Sequence, residues 1–250
     1  LIGGKPVAPS DNEETGARGL SLAETEQLIE DFVAAAVRSE TAGFDGVEIH
    51  GAHGYVLCQY LSAEINHRDD RYGGDIEGRS RIIFEIIDGI RARCRPDFQV
   101  GLRLSPERFG MDLMEIVGVA RRLMAEGKID YLDMSLWDVF KEPSEAAFKG
   151  RELMSYFTEL PRGDMRLGAA GKIMTGPQCA ERLAAGLDFV VLGRAAILHH
   201  DFPKKVAADA DFVARSLPVS ADVLRAEGLG EAFVGYMRGW AGFVEPETAT

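Results

Sequence analysis

The chain is poor in cysteine and in positive charge, and it has no long apolar run. Its 3 cysteines, Cys58, Cys94 and Cys179, are too far apart for a C-x-x-C metal or cluster motif or for a disulfide framework. No apolar run approaches the roughly 18 residues that a membrane helix needs, and the first residues lack the basic and apolar segments of an export signal. We therefore expect a reducing, cytoplasmic compartment and no membrane partner.

The shortage of cations excludes a second class of partner. The sequence has 28 lysines and arginines against 40 aspartates and glutamates, which gives a formal net charge of −12. Binding to nucleic acid depends on clustered cations, so no nucleic-acid partner is expected. The G-x-G-x-x-G motif and the P-loop spacing are also absent, which leaves a Rossmann site or a P-loop site without support. A small-molecule substrate remains the expected partner.

Short apolar strands alternate with amphipathic helices along most of the 250 residues. The first helix begins with Ser21 and Glu24 in capping-box spacing and ends at Gly43. We expect one domain, with a loop over 1–20, βα units over 21–202, and C-terminal helices and a tail over 203–250. The final helices are predicted at 203–215 and about 220–238. This alternation is typical of an α/β fold with a parallel sheet. The predicted strands are "GVEIH", "QVGLRLS", "DYLDMSL", "LGAAG" and "FVVLGR".

The polar residues of these strands favour a barrel. Strand side chains alternate between faces, so Glu48, His50 and Arg103 fall on one face of two consecutive strands. We expect Glu48 and Arg103 to pair inside a (β/α)8 TIM barrel, with His50 at the carboxyl-terminal rim, where such barrels hold their active sites. Because only five strands are recognisable, we interpret the chain as strands four to eight and the C-terminal helices. A doubly wound open sheet is the alternative.

Three separated segments carry a resemblance to a known family. The segments "GFDGVEIHGAHGYVLCQYLSAEINHRDDRYGG", "VGLRLSP" and "VVLGRAAILHHDFP" resemble the Old Yellow Enzyme family of FMN-dependent ene-reductases, in the family's order and within residues 5–240. The resemblance implies a (β/α)8 barrel, FMN as cofactor, and NADH or NADPH as the reductant. It also implies reduction of activated alkenes, namely α,β-unsaturated carbonyl or nitro compounds.

The resemblance assigns catalytic roles near the first barrel strand of the chain. His50 and His53 match the paired donors to the carbonyl or nitro oxygen of the substrate, and Tyr55 matches the proton donor to the α-carbon. From the residues alone, the two histidines fit two other descriptions, a zinc site that lacks a third ligand or ordinary core histidines.

The resemblance also assigns flavin contacts. Arg103 matches the arginine beside the N1 and O2 edge of the flavin ring. Gly193 and Arg194 end the last strand, and barrels often bind phosphate with the loops after strands seven and eight, so we expect these two residues to hold the FMN phosphate. Gly171 is a further candidate for close backbone approach on the same rim. No clustered cysteines follow Gly193, so no iron–sulfur cluster is expected.

The segment "GYMRGW", residues 235–240, resembles the tail of the thermophilic-like branch of the family. There an arginine from one subunit reaches the active site of its neighbour, which implies that Arg238 binds substrate, that Trp240 anchors the tail, and that the protein is a homo-oligomer. The alternative is a terminal helix over 230–244 that packs on its own subunit. For the whole chain, the alternatives to an FMN enzyme are a flavin-less binding module and a metal-dependent barrel hydrolase.

Overall fold

The computed structural model describes residues 4–246, and these fall into two compact units. The first unit comprises residues up to 136 together with 140–169, and the second comprises 137–139 and the residues from 170 onward. The elements of the first unit are β1 (Val7–Ala8), β2 (Arg18–Gly19), α1 (Leu22–Thr41), β3 (Gly46–Gly51), α2 (Val56–Leu61), α3 (Ile76–Arg93), β4 (Gln99–Leu104), α4 (Leu113–Glu126), β5 (Tyr131–Ser135), a short 3-10 turn (Ala146–Phe148), α5 (Ser155–Thr158) and β6 (Arg166–Ala170), whose last residue falls in the second unit.

Helix α1 begins where the sequence predicts. The Ser21 hydroxyl accepts a hydrogen bond from the backbone N–H of Glu24, and the Glu24 carboxylate accepts one from the backbone N–H of Ser21. This reciprocal arrangement satisfies two backbone donors that the first helical turn leaves unpaired. Helix α1 packs against α3 at Gly89, where a methyl group would lie 2.6 Å from Val33. The predicted capping box is confirmed.

The sheet of the first unit sets the register on which the candidate site depends. Strand β3 pairs in parallel with β4, and β4 pairs in parallel with β5, with β6 following β5 in the strand order. Ile49, Leu102 and Leu132 form one cross-strand row, and all three are buried. The next row toward the carboxyl ends of the strands consists of His50, Arg103 and Asp133. Adjacent rows point to opposite faces, so one face is aliphatic and the other is polar.

The second unit contains one strand and five helices among the residues that the structure describes. They are α6 (Gly176–Ala184), β7 (Phe189–Val191), α7 (Arg194–Leu198), α8 (Phe202–Ala208), α9 (Ala221–Ala226) and α10 (Glu231–Arg238). The buried side chains of Leu198, Leu224, Val234 and Met237 form a core within this unit. Helix α10 therefore packs on its own unit.

The predicted C-terminal helices are too long. Helix α8 ends at Ala208. Beyond it the backbone does not continue the helix but forms hydrogen bonds elsewhere, from Gly176 N–H to Phe212 O and from Ala214 N–H to Met174 O. The second predicted helix is divided into α9 and α10 at Gly228, whose φ of +91° is incompatible with a continuous right-handed helix. No helix among residues 4–246 has the length and apolar character needed to span a bilayer.

Candidate active site

The first unit brings the two histidines and the tyrosine together at the end of β3. The ring centroid of His50 lies 5.0 Å from that of His53 and 5.5 Å from that of Tyr55. His53 has a φ of 62°, and this left-handed backbone turns the chain sharply after the strand. The backbone N–H of His53 donates to the hydroxyl of Ser105, 3.1 Å away, which fixes the turn to the end of β4. Tyr55 precedes α2 and remains 64% exposed.

Arg103 lies beside these histidines but does not form the predicted pair with Glu48. Its Nε lies 3.0 Å from Oδ2 of Asp133, which is its register partner on β5. Asp133 is 1% exposed, whereas Glu48 is exposed. The prediction of a buried Glu48–Arg103 pair is therefore wrong, and the buried carboxylate beside the arginine is Asp133.

Glu48 instead bonds to Tyr131, and Gly101 explains how. Glu48, Gly101 and Tyr131 occupy one cross-strand row, and a methyl group on Gly101 would lie 2.0 Å from the Tyr131 ring. The tyrosine therefore lies across the glycine, and its hydroxyl reaches the Glu48 side chain. Burial and the adjacent Glu48 carboxylate raise the pKa of Tyr131.

A chain of polar contacts runs from Asp133 through Arg103 and Ser135 to His53. Arg103 Nε donates to the Ser135 hydroxyl at 2.7 Å, and the same hydroxyl lies 2.8 Å from His53 Nε2. These contacts occupy Nε of the guanidinium, while its terminal nitrogens have no hydrogen-bond partner among residues 4–246. The terminal N–H groups are therefore available to an electron-rich ligand edge.

The protonation of the site follows from burial and from the arginine. Burial and the positive charge of Arg103 both lower the pKa of His50, and the same two causes lower the pKa of His53 to about 4. Burial raises the pKa of Asp133 to about 6, an effect that Arg103 opposes and Glu48 reinforces. At neutral pH the two rings are neutral hydrogen-bond donors, and the arginine carries the positive charge.

The loops that follow β4 and β5 are tied together by a buried carboxylate. Glu107 is 7% exposed and accepts hydrogen bonds from Lys141 and from the backbone and hydroxyl of Ser144, at 2.8 and 2.9 Å for Ser144. Burial opposes ionisation of Glu107, but these donors outweigh it, so the pKa of Glu107 lies below its usual value. The carboxylate fixes the two loops to each other.

The remaining predicted site residues lie in the second unit. Gly193 and Arg194 follow β7 at the start of α7, and Arg194 lines a cavity of about 450 Å³ together with Lys172 and Arg215. Lys172 pairs with Asp138 at 3.0 Å, and Arg215 pairs with Glu227. The guanidinium of Arg194 lies 6.0 Å from the Trp240 ring and forms no hydrogen bond to a residue in 4–246.

Gly171 and Arg238 have surroundings of their own in this unit. Gly171 has a φ of +156°, and a methyl group there would lie 2.7 Å from the backbone nitrogen of Asp138, so packing of the chain itself requires glycine. Arg238 is exposed at the last residue of α10, and its charge helps to lower the pKa of Glu231, after the larger effect of Arg225. Trp240 packs edge-on against Tyr236 and Phe243 at centroid distances of 6.0 Å.

Potential metal ligands cluster elsewhere than at the predicted histidines. Among the described residues, the one group of three is His199, Asp201 and Glu227, so His50 and His53 have no third ligand there. His199 Nε2 accepts a hydrogen bond from the backbone N–H of Arg215. The proton of the neutral ring is therefore on Nδ1, which then cannot ligate a metal.

The chain matches one protein family over most of its length. The model of the NADH:flavin oxidoreductase / NADH oxidase family matches residues 4–211. The chain belongs to this family. The predicted resemblance to Old Yellow Enzyme is thereby confirmed, and the family's name places flavin and a nicotinamide nucleotide at the centre of its chemistry.

Individual relatives of this flavin oxidoreductase family agree with the assignment. The chain is 33% identical over 210 residues to the probable NADH-dependent flavin oxidoreductase YqiG of Bacillus subtilis, covering 80% of this chain and 56% of that protein. It is 30% identical over 236 residues to 12-oxophytodienoate reductase 2 of Arabidopsis thaliana, covering 83% and 57%. The chain thus spans somewhat more than half the length of these relatives.

A solved structure settles the fold class. A morphinone reductase mutant in complex with tetrahydroNAD matches with a TM-score of 0.69 and 28% identity, over 90% of this chain and 64% of that chain. Together with parallel strands that alternate with helices, this likeness shows part of a (β/α)8 barrel. The predicted barrel is confirmed, and the doubly wound sheet is set aside.

Sequence reasoning missed Asp133 and Ser135. Both lie in the predicted strand "DYLDMSL", and they are two residues apart, so they share a face. A polar residue at every second position of a buried strand was the available signal.

Proposed function

We propose that this member of the flavin oxidoreductase family binds FMN and reduces activated alkenes, namely α,β-unsaturated carbonyl or nitro compounds, with hydride from NADH or NADPH. One observation carries the proposal. In the first unit, a partly buried arginine lies beside two histidines whose lowered pKa values keep them neutral, and the terminal nitrogens of this arginine have no hydrogen-bond partner among the described residues. Two of the relatives are named a flavin oxidoreductase, in Bacillus subtilis, and a 12-oxophytodienoate reductase, in Arabidopsis thaliana. Both names support the same chemistry.

Arg103 is the proposed contact to the flavin ring. FMN, when bound, carries the hydride from the nicotinamide to the alkene, which no side chain could do. Asp133 and Ser135 hold Arg103 through its Nε, which leaves its terminal N–H groups as the donors that would bind the electron-rich edge of the flavin ring. A fixed cation at this edge favours the more negative, reduced ring.

His50 and His53 are the proposed donors to the substrate oxygen. Two neutral N–H groups polarise the carbonyl or nitro group and stabilise the negative charge that develops on its oxygen. A neutral N–H group suits this role because the histidines only donate hydrogen bonds to the oxygen, whereas the proton that is transferred comes from another residue. Tyr55 is the proposed proton donor to the α-carbon, and its ring lies within 5.5 Å of the His50 ring.

Arg194 is the proposed contact to the FMN phosphate. Its guanidinium has no hydrogen bond to a described residue, and it shares a cavity with Lys172, so the donor set fits a phosphate. Gly193 precedes it in open space, where a methyl group would lie farther than 4 Å from any described residue apart from its chain neighbours. Gly171 is retained as a secondary candidate for backbone approach to FMN.

A homo-oligomer with Arg238 entering the neighbouring active site has less support. Trp240 packs against Tyr236 and Phe243 of its own unit, which favours a tail that stays with its own subunit. We keep the oligomer as part of the proposal because Arg238 is exposed.

The visible spectrum of the purified protein tests the proposal. We expect a yellow protein, or one that becomes yellow on reconstitution with FMN, that bleaches when NADH or NADPH is added without oxygen. Addition of cyclohexenone should then restore the oxidised spectrum and yield the saturated ketone. A protein that FMN cannot colour, or a reduced protein that alkenes cannot reoxidise, would contradict the proposed function.

A further inference from the structure

Ser135 joins the arginine of the candidate site to one of its histidines. It ends β5 and is 9% exposed, so its hydroxyl depends on protein partners. Two partners lie within hydrogen-bond distance of its Oγ, Arg103 Nε at 2.7 Å and His53 Nε2 at 2.8 Å. Its location between two functional side chains raises the question of which way each proton points.

The proton positions follow from what each group is able to donate. Arginine Nε always carries a proton, so Arg103 donates and the Ser135 oxygen accepts. The serine hydroxyl then has one proton to donate. Asp133, two residues earlier on the same strand, does not accept that proton, because among the described residues Ser135 bonds only to Arg103 and His53, and the buried Oδ1 of Asp133 has no partner there. His53 Nε2 is the acceptor that remains among the described partners of Ser135.

The opposite arrangement leaves a buried group unsatisfied. If His53 carried its proton on Nε2, the Ser135 oxygen would accept two hydrogen bonds, and its own proton would have no acceptor. A buried donor without an acceptor is strongly disfavoured. Since the lowered pKa of His53 keeps the ring neutral at pH 7, the ring has a single proton, and that proton is on Nδ1.

We propose that Ser135 is a positioning residue that fixes His53 as the Nδ1–H tautomer, through a hydroxyl that Arg103 orients. His53 then presents Nδ1–H as its hydrogen-bond donor. His53 is an exposed residue, and its Nδ1 has no hydrogen-bond partner among the described residues, so this nitrogen can serve a ligand. The further consequence, that this donor holds the substrate oxygen, rests on the proposed function.

The same contacts make the Nδ1–H donor of His53 dependent on the ion pair between Arg103 and Asp133. Asp133 lies 3.0 Å from Arg103 Nε and so helps to aim that nitrogen at Ser135. A change in the orientation of the guanidinium would free the serine hydroxyl to rotate, and His53 would then exchange between tautomers. The residue proposed to contact the flavin and a residue proposed to contact the substrate are therefore linked by one hydroxyl.

Nitrogen-15 NMR of the purified protein, labelled at histidine and in the oxidised state, tests the tautomer directly. Assignment by His53→Gln isolates the His53 signals. We expect a protonated Nδ1 and an unprotonated Nε2 in the wild type at pH 7, and a shift toward Nε2–H or a mixture in Ser135→Ala. Ser135→Thr, which retains a hydroxyl, should restore the wild-type signals.

Ser105→Ala is the matched control, because the Ser105 hydroxyl also bonds to His53 but through the backbone N–H. It should leave the ring tautomer unchanged. A wild-type ring protonated on Nε2 would overturn the proposal, as would an unchanged tautomer in Ser135→Ala or an equal change in Ser105→Ala. If Ser135→Ala does not fold, the wild-type spectrum still decides, since a ring protonated on Nε2 would overturn the proposal.

Binding of a phenol, which mimics the substrate oxygen, separates this inference from the proposed function. We expect Ser135→Ala to weaken phenol binding roughly two- to tenfold, the range of one hydrogen bond, when the protein is saturated with FMN. A changed tautomer with unchanged phenol affinity would remove His53 Nδ1 as the substrate donor, even if the protein is yellow and reduces alkenes. Failure of FMN to bind would contradict the proposed function but not the tautomer.

Discussion

Replacing Arg103 by alanine tests whether Asp133 is the carboxylate that this arginine neutralises. Asp133 is 1% exposed, its Oδ1 has no hydrogen-bond partner within residues 4–246, and its Oδ2 lies 3.0 Å from Arg103 Nε. Removing one member of a buried ion pair costs about 3–5 kcal/mol, because the remaining charge is left uncompensated. We expect Arg103→Ala to lose about that much free energy of unfolding at pH 8.

The loss should depend on pH in a direction that the pKa of Asp133 fixes. In the folded wild type this pKa is raised from 3.8 to about 6. The raised pKa stabilises the folded state most below pH 3.8, and this contribution decreases by about 1.4 kcal/mol per pH unit until the folded pKa is passed. In the wild type this decrease in the free energy of unfolding ends near pH 6. In Arg103→Ala the pKa of Asp133 rises further, so the decrease continues to higher pH. The stability gap should therefore widen by up to about 2.7 kcal/mol between pH 6 and pH 8.

Urea unfolding followed by circular dichroism at these two pH values measures the gap. The variant Arg103→Ala/Asp133→Asn has no carboxylate to leave uncompensated, so the widening should disappear. Arg103→Ala/Glu48→Gln is the matched control. Burial is the main cause of the raised pKa of Asp133 and Glu48 is a minor one, so the Glu48 change should reduce the widening without abolishing it. Our reasoning is refuted if the gap is the same at both pH values, or if the Glu48 change abolishes the widening and the Asp133 change does not.

Three further predictions concern catalysis, binding and packing. Tyr55→Phe should leave flavin reduction by NADH or NADPH intact and slow reoxidation by alkenes by roughly 10²–10⁴, as stopped-flow absorbance would record; an unchanged rate would remove Tyr55 as the proton donor. Replacing both His50 and His53 by alanine should weaken phenol binding, measured by spectral titration, without unfolding the protein; unaltered phenol affinity would exclude both. Gly171→Ala should lower the free energy of unfolding by roughly 1–3 kcal/mol in urea, since its methyl group would lie 2.7 Å from the backbone of Asp138. Gly193→Ala, in open space, should change it by less than about 0.5 kcal/mol, and equal losses would contradict the packing argument.

The alternation of strand residues was sufficient to predict which face of the sheet a side chain lies on, but not which side chain it pairs with. Alternation correctly placed His50 and Arg103 on one face, and they are register partners in the structure. It did not reveal that the strand on the other side of Arg103 offers a carboxylate in the same row, because the register of a third strand depends on tertiary packing. The empty position at Gly101, which Tyr131 fills to reach Glu48, is a second reason that the predicted pair was wrong.

Helix starts were more predictable than helix ends. The side chains of Ser21 and Glu24 determine where α1 begins through contacts within four residues of sequence. The end of α8 depends instead on two backbone hydrogen bonds to residues more than thirty positions away. One joins Phe212 to Gly176, and the other joins Ala214 to Met174. Sequence periodicity carries no information about such distant competitors.

The buried Glu107 has a consequence for how the protein could diversify. Because this single carboxylate receives donors from Lys141 and Ser144, the loops after β4 and β5 share one anchor. Variation in either loop that keeps these contacts would be tolerated independently. Loss of Lys141 would leave the Glu107 carboxylate buried without an opposite charge, until a second substitution replaced Glu107 as well. Substitutions at these positions should therefore be epistatic, and libraries that aim to alter substrate choice would recover more folded variants if they left this trio intact or replaced it as a set.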